Sequence, residues 1–214
     1  MKKVFPDAGL YGILDHGLSL GRGNVAVAKA MLEAGITIIQ YREKERKMGV
    51  MLEECKAIRA MTAEAGAIFI VNDFVSLALL VDADGVHVGQ EDLPVGEVRR
   101  LLGPDRLIGL STHSPEQAQA AVRCGADYIG VGPLFATKTK KDVVAPVGLD
   151  YLDYVVANIH LPFVAIGGIN AATIGLVAGR GARCCCCVSA IVSAEDIAGA
   201  VKALRHTMEQ AGTL

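Results

Sequence analysis

At 214 residues, 52% of them hydrophobic, the chain can bury a sizeable core as one large domain or two small ones. A formal net charge of −2 argues against nucleic-acid binding in general, although a local cluster of cations could still recognise an anion. No run approaches the roughly 20 apolar residues needed to cross a bilayer, and the opening MKKVFPDAGLYGILD lacks the apolar stretch of a secretion signal, so a cytoplasmic protein without membrane contact is expected.

In chain order, strand-like runs fall near residues 10–14, 36–41, 67–71, 84–88, 107–110, 126–131, 163–166 and 183–188. Helical patterns such as NVAVAKAMLEAG, MLEECKAIRAMTAEAG, PVGEVRRLLG, SPEQAQAAVRCG and NAATIGLVAGRG lie between them. Several close on Gly35, Gly66, Gly103, Gly125 or Gly181, the residue type suited to the left-handed position after a helix. Eight such units without a linker predict an α/β fold, a (β/α)8 TIM barrel forming a single domain over residues 1–214. An open doubly wound sheet is the alternative; against it, no GxGxxG follows the first strand and no GxxxxGK[ST] occurs.

A barrel places its chemistry on the loops that follow the strands. After the second strand, Gln40, Arg42 and Lys44 alternate and so share one face of an extended chain, an amide and two cations suited to an anionic ligand. The plain alternative is a structural ion pair with Asp73 or Asp92. The third strand runs out at Asn72 and Asp73, and a helix fits 75–81. The fourth is followed by Gly89, Gln90, Glu91 and Asp92 before Pro94 opens the next helix. Asp73 and Asp92 thus leave neighbouring strands in one direction and could share Mg2+ with a phosphate. Singly, each also reads as a helix N-cap or a solvated loop residue.

The fifth strand delivers Ser111 and His113. No GxSxG elbow accompanies them, so Ser111 reads as a hydrogen-bond donor to a ligand and Ser114 as the cap of a helix with Pro115 at its first position. His113 reads equally as a ligand contact or as a polar loop residue. The connection GPLFATKTKKDVVAPVG is far longer than the usual two to six residues or so. Its Thr137, Lys138, Thr139, Lys140 and Lys141 suit either a phosphate-gripping lid or a solvated charge run. The seventh strand ends in the paired glycines Gly167 and Gly168, and the eighth in Val188 and Ser189, where barrels of this kind commonly hold phosphate. Cys184, Cys185, Cys186 and Cys187 are consecutive in a strand-like run, so they should point alternately to opposite faces as buried reduced thiols rather than ligate zinc.

The motifs together resemble the thiamine-phosphate synthase family over nearly the whole chain: YGILD, QYREK, NDFVSLALLVDADGVHVGQEDLP, IGLSTHS, ADYIGVGPLFATKTK, AIGGI and VSAI, in that order. The resemblance implies a transferase that joins hydroxymethylpyrimidine diphosphate to a thiazole phosphate and releases pyrophosphate with Mg2+. It implies that Gln40, Arg42, Lys44, Asn72, Ser111 and Lys140 hold the diphosphate substrate, with Tyr41 and Glu43 in the same QYREK stretch, and that Asp73 and Asp92 hold the metal. Thr137, Lys138, Thr139, Gly168, Val188 and Ser189 would hold the thiazole phosphate, and Arg42, Lys44, Ser111 and Lys140 would carry the catalysis. The lid lacks the Pro that often precedes the first Thr, and the four cysteines replace small and β-branched residues. Thiazole tautomerases share the barrel, and a non-catalytic phosphate-binding regulator is the alternative outside enzymes. QYREK with both aspartates favours the synthase. The expected partners are the two small substrates, with a homodimer left open.

Overall fold

The computed structural model describes residues 4–6, 9–137, 139 and 144–212. Short, mostly apolar runs form β1 (Gly9–Leu10), β2 (Gly12–Leu14), β3 (Ile38–Tyr41), β4 (Ile68–Asn72), β5 (Gly85–Val88), β6 (Leu107–Thr112), β7 (Tyr128–Val131), β8 (Phe163–Ile166) and β9 (Cys184–Cys186). All pairings are parallel, in the order β1-β9-β8-β7-β6-β5-β4-β3-β2. The two end strands are one stretch of chain. Gly9 and Leu10 pair with Cys184 and Cys185, whereas Gly12, Ile13 and Leu14 pair with Ile39, Gln40 and Tyr41. Between them Tyr11 donates its N–H to Cys185 O at 2.9 Å, so the first strand closes the ring. This is the predicted (β/α)8 barrel, with its first strand recorded in two pieces.

Alternation along each strand sorts side chains into two cores. Tyr11, Ile13, Ile38, Ile70, Tyr128 and Cys184 fill the inside of the barrel. Leu10, Leu14, Ile39, Phe69, Val71 and Cys185 pack outward against the helices. The cysteines follow the expected alternation: Cys184 and Cys186 point inward, Cys185 and Cys187 outward. Burial pushes the Cys185 thiol up to about 12, and Cys55 likewise. Thiolate is the reactive form, so native protein at pH 8 should alkylate at exposed Cys124 alone and at all six thiols once unfolded. Mass spectrometry after iodoacetamide counts them.

The glycines expected to close helices, Gly35, Gly66, Gly103, Gly125 and Gly181, all have positive φ. Ser114 caps α5 (Pro115–Arg123) as predicted, accepting from Gln117 N at 3.3 Å. Three helices were not singled out by sequence pattern: α6 (Gly148–Asn158), α8 (Val188–Val192) and α9 (Ile197–Gln210). The second of these corrects the last strand, which ends at Cys186, so Val188 and Ser189 begin a short helix rather than finishing a strand. Among the described residues no helix is long and apolar enough to cross a membrane.

Candidate active site

Polar side chains on the inward faces of the strands build the floor of a cavity at the carboxyl edge of the sheet. Gln40 of β3, only 2% exposed, donates through Nε2 to Tyr11 Oη at 2.9 Å. The hydroxyls of Tyr11 and Tyr128 lie 3.0 Å apart. Tyr128 meets Nδ1 of His87 at 3.0 Å, and Nε2 of His87 meets Ser111 Oγ at 3.0 Å. Five groups from β3, the first strand, β7, β5 and β6 thus form one continuous chain across the barrel. Missing side chains make room for it. A Cβ on Gly109 would lie 2.2 Å from the Tyr128 ring and 2.4 Å from His87 Nδ1. Phe5 stacks under Tyr128 with ring centroids 4.2 Å apart and closes the floor.

Above this floor the cavity is lined by Arg42, Asn72 and Ser111, from the ends of β3, β4 and β6, and by Thr137, Thr139, Gly168, Val188 and Ser189, from the segments after β7, β8 and β9; Lys44, Asp73 and Asp92 are not among its lining residues. Ile13, Val164, Ile166 and Cys186 supply an apolar wall. Arg42 Nη1 pairs with Asp15 at 3.3 Å, and its buried Nε has no partner. Tyr41 takes the other face of β3, as alternation requires: its hydroxyl donates to Glu54 of α2 (Met48–Glu64) at 2.7 Å, away from the cavity. Glu43 accepts from Lys44 N at 3.0 Å and shapes the turn. Lys44 reaches Asp73 with Nζ 3.3 Å from Oδ2, one of the ion pairs the sequence left open.

Asp73 is not a helix cap: that position belongs to Phe74, and no side chain caps α3 (Val75–Leu80). Asp73 instead holds φ at 60°, a left-handed conformation tolerated chiefly where surroundings impose it. Burial first, and the negative charge of Asp92 second, push its carboxyl up from the usual range, while Lys44 pulls it down. Asp92 is near enough for its charge to act on Asp73, and it accepts from Gly89 N at 2.7 Å.

Gly168 lines the cavity, but its bareness has a second cause. It has φ of 66°, and a Cβ there would meet Ala136 O and Phe135 Cβ, each at 2.7 Å. Phe135 N donates to Gly167 O at 3.0 Å, so the loop after β7 is stitched to the loop after β8. Thr137 Oγ1 and Thr139 Oγ1 lie 3.1 Å apart at the start of that connection; Lys138, Lys140 and Lys141 lie outside the described residues. His113 also lines the cavity, its Nδ1 donating to Gly132 O.

A family model described as thiamine monophosphate synthase matches residues 10–191. The chain belongs to the thiamine monophosphate synthase family. It is 62% identical over 199 residues to the thiamine-phosphate synthase of Pelotomaculum thermopropionicum, covering 93% of this chain and 91% of that protein. It is 55% identical over 207 residues to that of Lawsonia intracellularis, covering 97% and 95%. Among solved structures, thiamine phosphate pyrophosphorylase from Pyrococcus furiosus superposes with a TM-score of 0.87 at 37% identity, covering 96% of this chain and 97% of that one. Membership of this family makes the protein a transferase.

Tyr11, His87 and Tyr128 were not among the residues expected from sequence. The signal for them was present: polar side chains at inward positions of apolar strands, opposite glycines at 109 and 130.

Proposed function

We propose that the protein condenses hydroxymethylpyrimidine diphosphate with a thiazole phosphate, giving thiamine phosphate and pyrophosphate. The observation that carries this reading is a cavity bearing Arg42, together with the acidic pair Asp73 and Asp92 and its partner Lys44 on the segments that follow β3, β4 and β5. Diphosphate leaves readily only when its charge is neutralised. Arg42 faces it with a guanidinium whose Nε lacks a protein partner, and Lys44 brings a mobile ammonium. The bond from the pyrimidine methylene carbon to oxygen breaks with its electron pair on the departing pyrophosphate. The ring nitrogen of the thiazole then gives its lone pair to that carbon. No protein nucleophile is required, in keeping with a cavity lined by Arg42, amides and hydroxyls.

The acidic pair fits Mg2+. Two neighbouring carboxylates are hard oxygen donors, one of them held in a left-handed backbone conformation. Among the described residues no group of three or more His, Cys, Asp or Glu converges, so Asp73 and Asp92 would leave the remaining positions to water and phosphate oxygens, as Mg2+ prefers. When bound, the ion would supply further charge neutralisation on the diphosphate. Thr137, Thr139, Ser189 and the backbone near Gly168, which line the same cavity, would hold the thiazole phosphate, beside a short extra helix of the kind that serves phosphate in barrels. The retained acidic pair disfavours a tautomerase acting on a thiazole alone.

Purified protein supplied with both substrates and Mg2+ should release pyrophosphate and form thiamine phosphate; a folded protein that does neither overturns the proposal. Asp73→Asn and Asp92→Asn should each raise the Mg2+ concentration for half-maximal rate by about tenfold or more, since even outer-shell partners of metals are worth about 10–100-fold. Excess Mg2+ should partly restore the rate. The same change at Asp73 should not cost stability. An acid whose folded-state pKa lies above its unfolded value destabilises the fold at every pH where it is ionised, and Asn tolerates left-handed backbone. The Tm of Asp73→Asn at pH 7 without metal should therefore equal or exceed that of the wild type.

A further inference from the structure

The chain of hydrogen bonds across the barrel floor has a direction. Gln40 donates to Tyr11, and with His87 neutral each inner member, phenol or imidazole, has one proton to give. Tyr11 must then donate to Tyr128, and Tyr128 to Nδ1 of His87. That leaves Nε2–H of His87 to donate to Ser111. Burial raises both phenols well above their usual titration range, so each keeps its proton. At the two ends, both of which line the cavity, Oε1 of Gln40 is left to accept and the hydroxyl of Ser111 to donate. Reversing any one link places two donors or two lone pairs face to face, a costly arrangement in a buried site.

We propose that Tyr11 and Tyr128 are positioning residues: they lock the polarity of the chain Gln40–Tyr11–Tyr128–His87–Ser111, so that the cavity selects a ring offering a donor to Gln40 and an acceptor to Ser111. An aminopyrimidine has that edge. Its oxo analogue, with a carbonyl and a ring N–H, presents the reverse. The inference rests on the pyrimidine diphosphate reading above, and neither tyrosine needs to touch the reacting atoms.

Two measurements test it. Nitrogen-15 NMR of the imidazoles should show His87 protonated at Nε2 and bare at Nδ1 in the wild type. Gln40→Glu, which when ionised can only accept, should place a proton on Nδ1 at the far end of the chain. A wild-type His87 protonated at Nδ1, or no change in Gln40→Glu, overturns the locked polarity.

The second measurement is kcat/KM for the amino pyrimidine diphosphate relative to its oxo analogue. A site built to hydrogen-bond one partner rejects the mismatched one strongly, and in Tyr128→Phe this preference should fall by about tenfold or more, with the KM for thiazole phosphate within about twofold of wild type. Tyr11→Phe should act in the same direction. The double variant should be no worse than the worse single one, because a broken chain cannot be broken again. Circular dichroism and Tm establish folding, and either single variant suffices. An unchanged preference in a folded variant overturns the positioning role. A wild type that makes no product from the two substrates would sink the synthase reading instead, and the imidazole measurement would still uphold or overturn the chain.

Discussion

Arg42→Ala should lower kcat/KM for the pyrimidine diphosphate by on the order of 10²–10³, about 3–4 kcal/mol, with both kcat and KM affected. Charge on the departing pyrophosphate grows as the bond breaks, so a guanidinium facing it stabilises the transition state more than the bound substrate. Two features of its setting support the size of the effect. The side chain is 13% exposed, so solvent screens it weakly, and its Nε is buried without a partner. Its ion pair with Asp15 at 3.3 Å holds the group in place before substrate arrives. Arg42→Lys should recover part of kcat, keeping the charge but losing the fork. The KM for thiazole phosphate should move little, because Thr137, Thr139 and Ser189 leave other strands, β7 and β9, than Arg42 does. Steady-state kinetics with each substrate varied in turn decides this, and an equal rise in both KM values would contradict the placement of the two subsites.

Gly109→Ala should destabilise the fold by about 3 kcal/mol or more, lowering Tm by roughly 6–12 °C for a chain of this size. The added methyl would stand 2.2 Å from the Tyr128 ring and 2.4 Å from His87 Nδ1, inside a packed barrel where neither ring can retreat. Gly130→Ala is the contrast. Its Cβ would meet His87 Cε1 at 3.4 Å, an ordinary contact, so its cost should stay below about 1 kcal/mol. Thermal unfolding of the two variants side by side checks the difference; equal losses would mean that crowding of the hydrogen-bonded rings is not what keeps residue 109 bare.

The barrel was legible because its signals are local and repeated. Short apolar runs, glycines after helices and the Ser114-Pro115 start each report on a few neighbouring residues. Helices α6 and α8 were less so. The first follows a long connection, and the second, five residues long, sits where β-branched residues continue the pattern of the strand before it. At the site, period-two alternation brought Gln40 and Arg42, though not Lys44, into the cavity and correctly sent successive cysteines to opposite faces. The same rule sends Tyr41 to the opposite face, although it stands in the middle of the QYREK motif. What spacing along the chain does not contain is which inward residues meet across the ring. The contacts of Tyr11 with Tyr128, and of His87 with Ser111, depend on strand register and on the bare space at Gly109.

The seam at the first strand has a consequence for how the protein comes into being. Gly9 pairs with Cys184, so the hydrogen bonds that shut the ring join the first strand to one synthesised much later than it. Until then two sheet edges stand open, inviting pairing with other chains. Tyr11 lies at that seam, between the piece that meets β9 and the piece that meets β3, and it is also the second member of the polar chain. A nascent or nicked chain that had yet to join its ends would lack not only the last strand but the link between Gln40 and Tyr128. Ring closure and assembly of the substrate floor are therefore one event, and a half-built barrel should be inactive rather than weakly active.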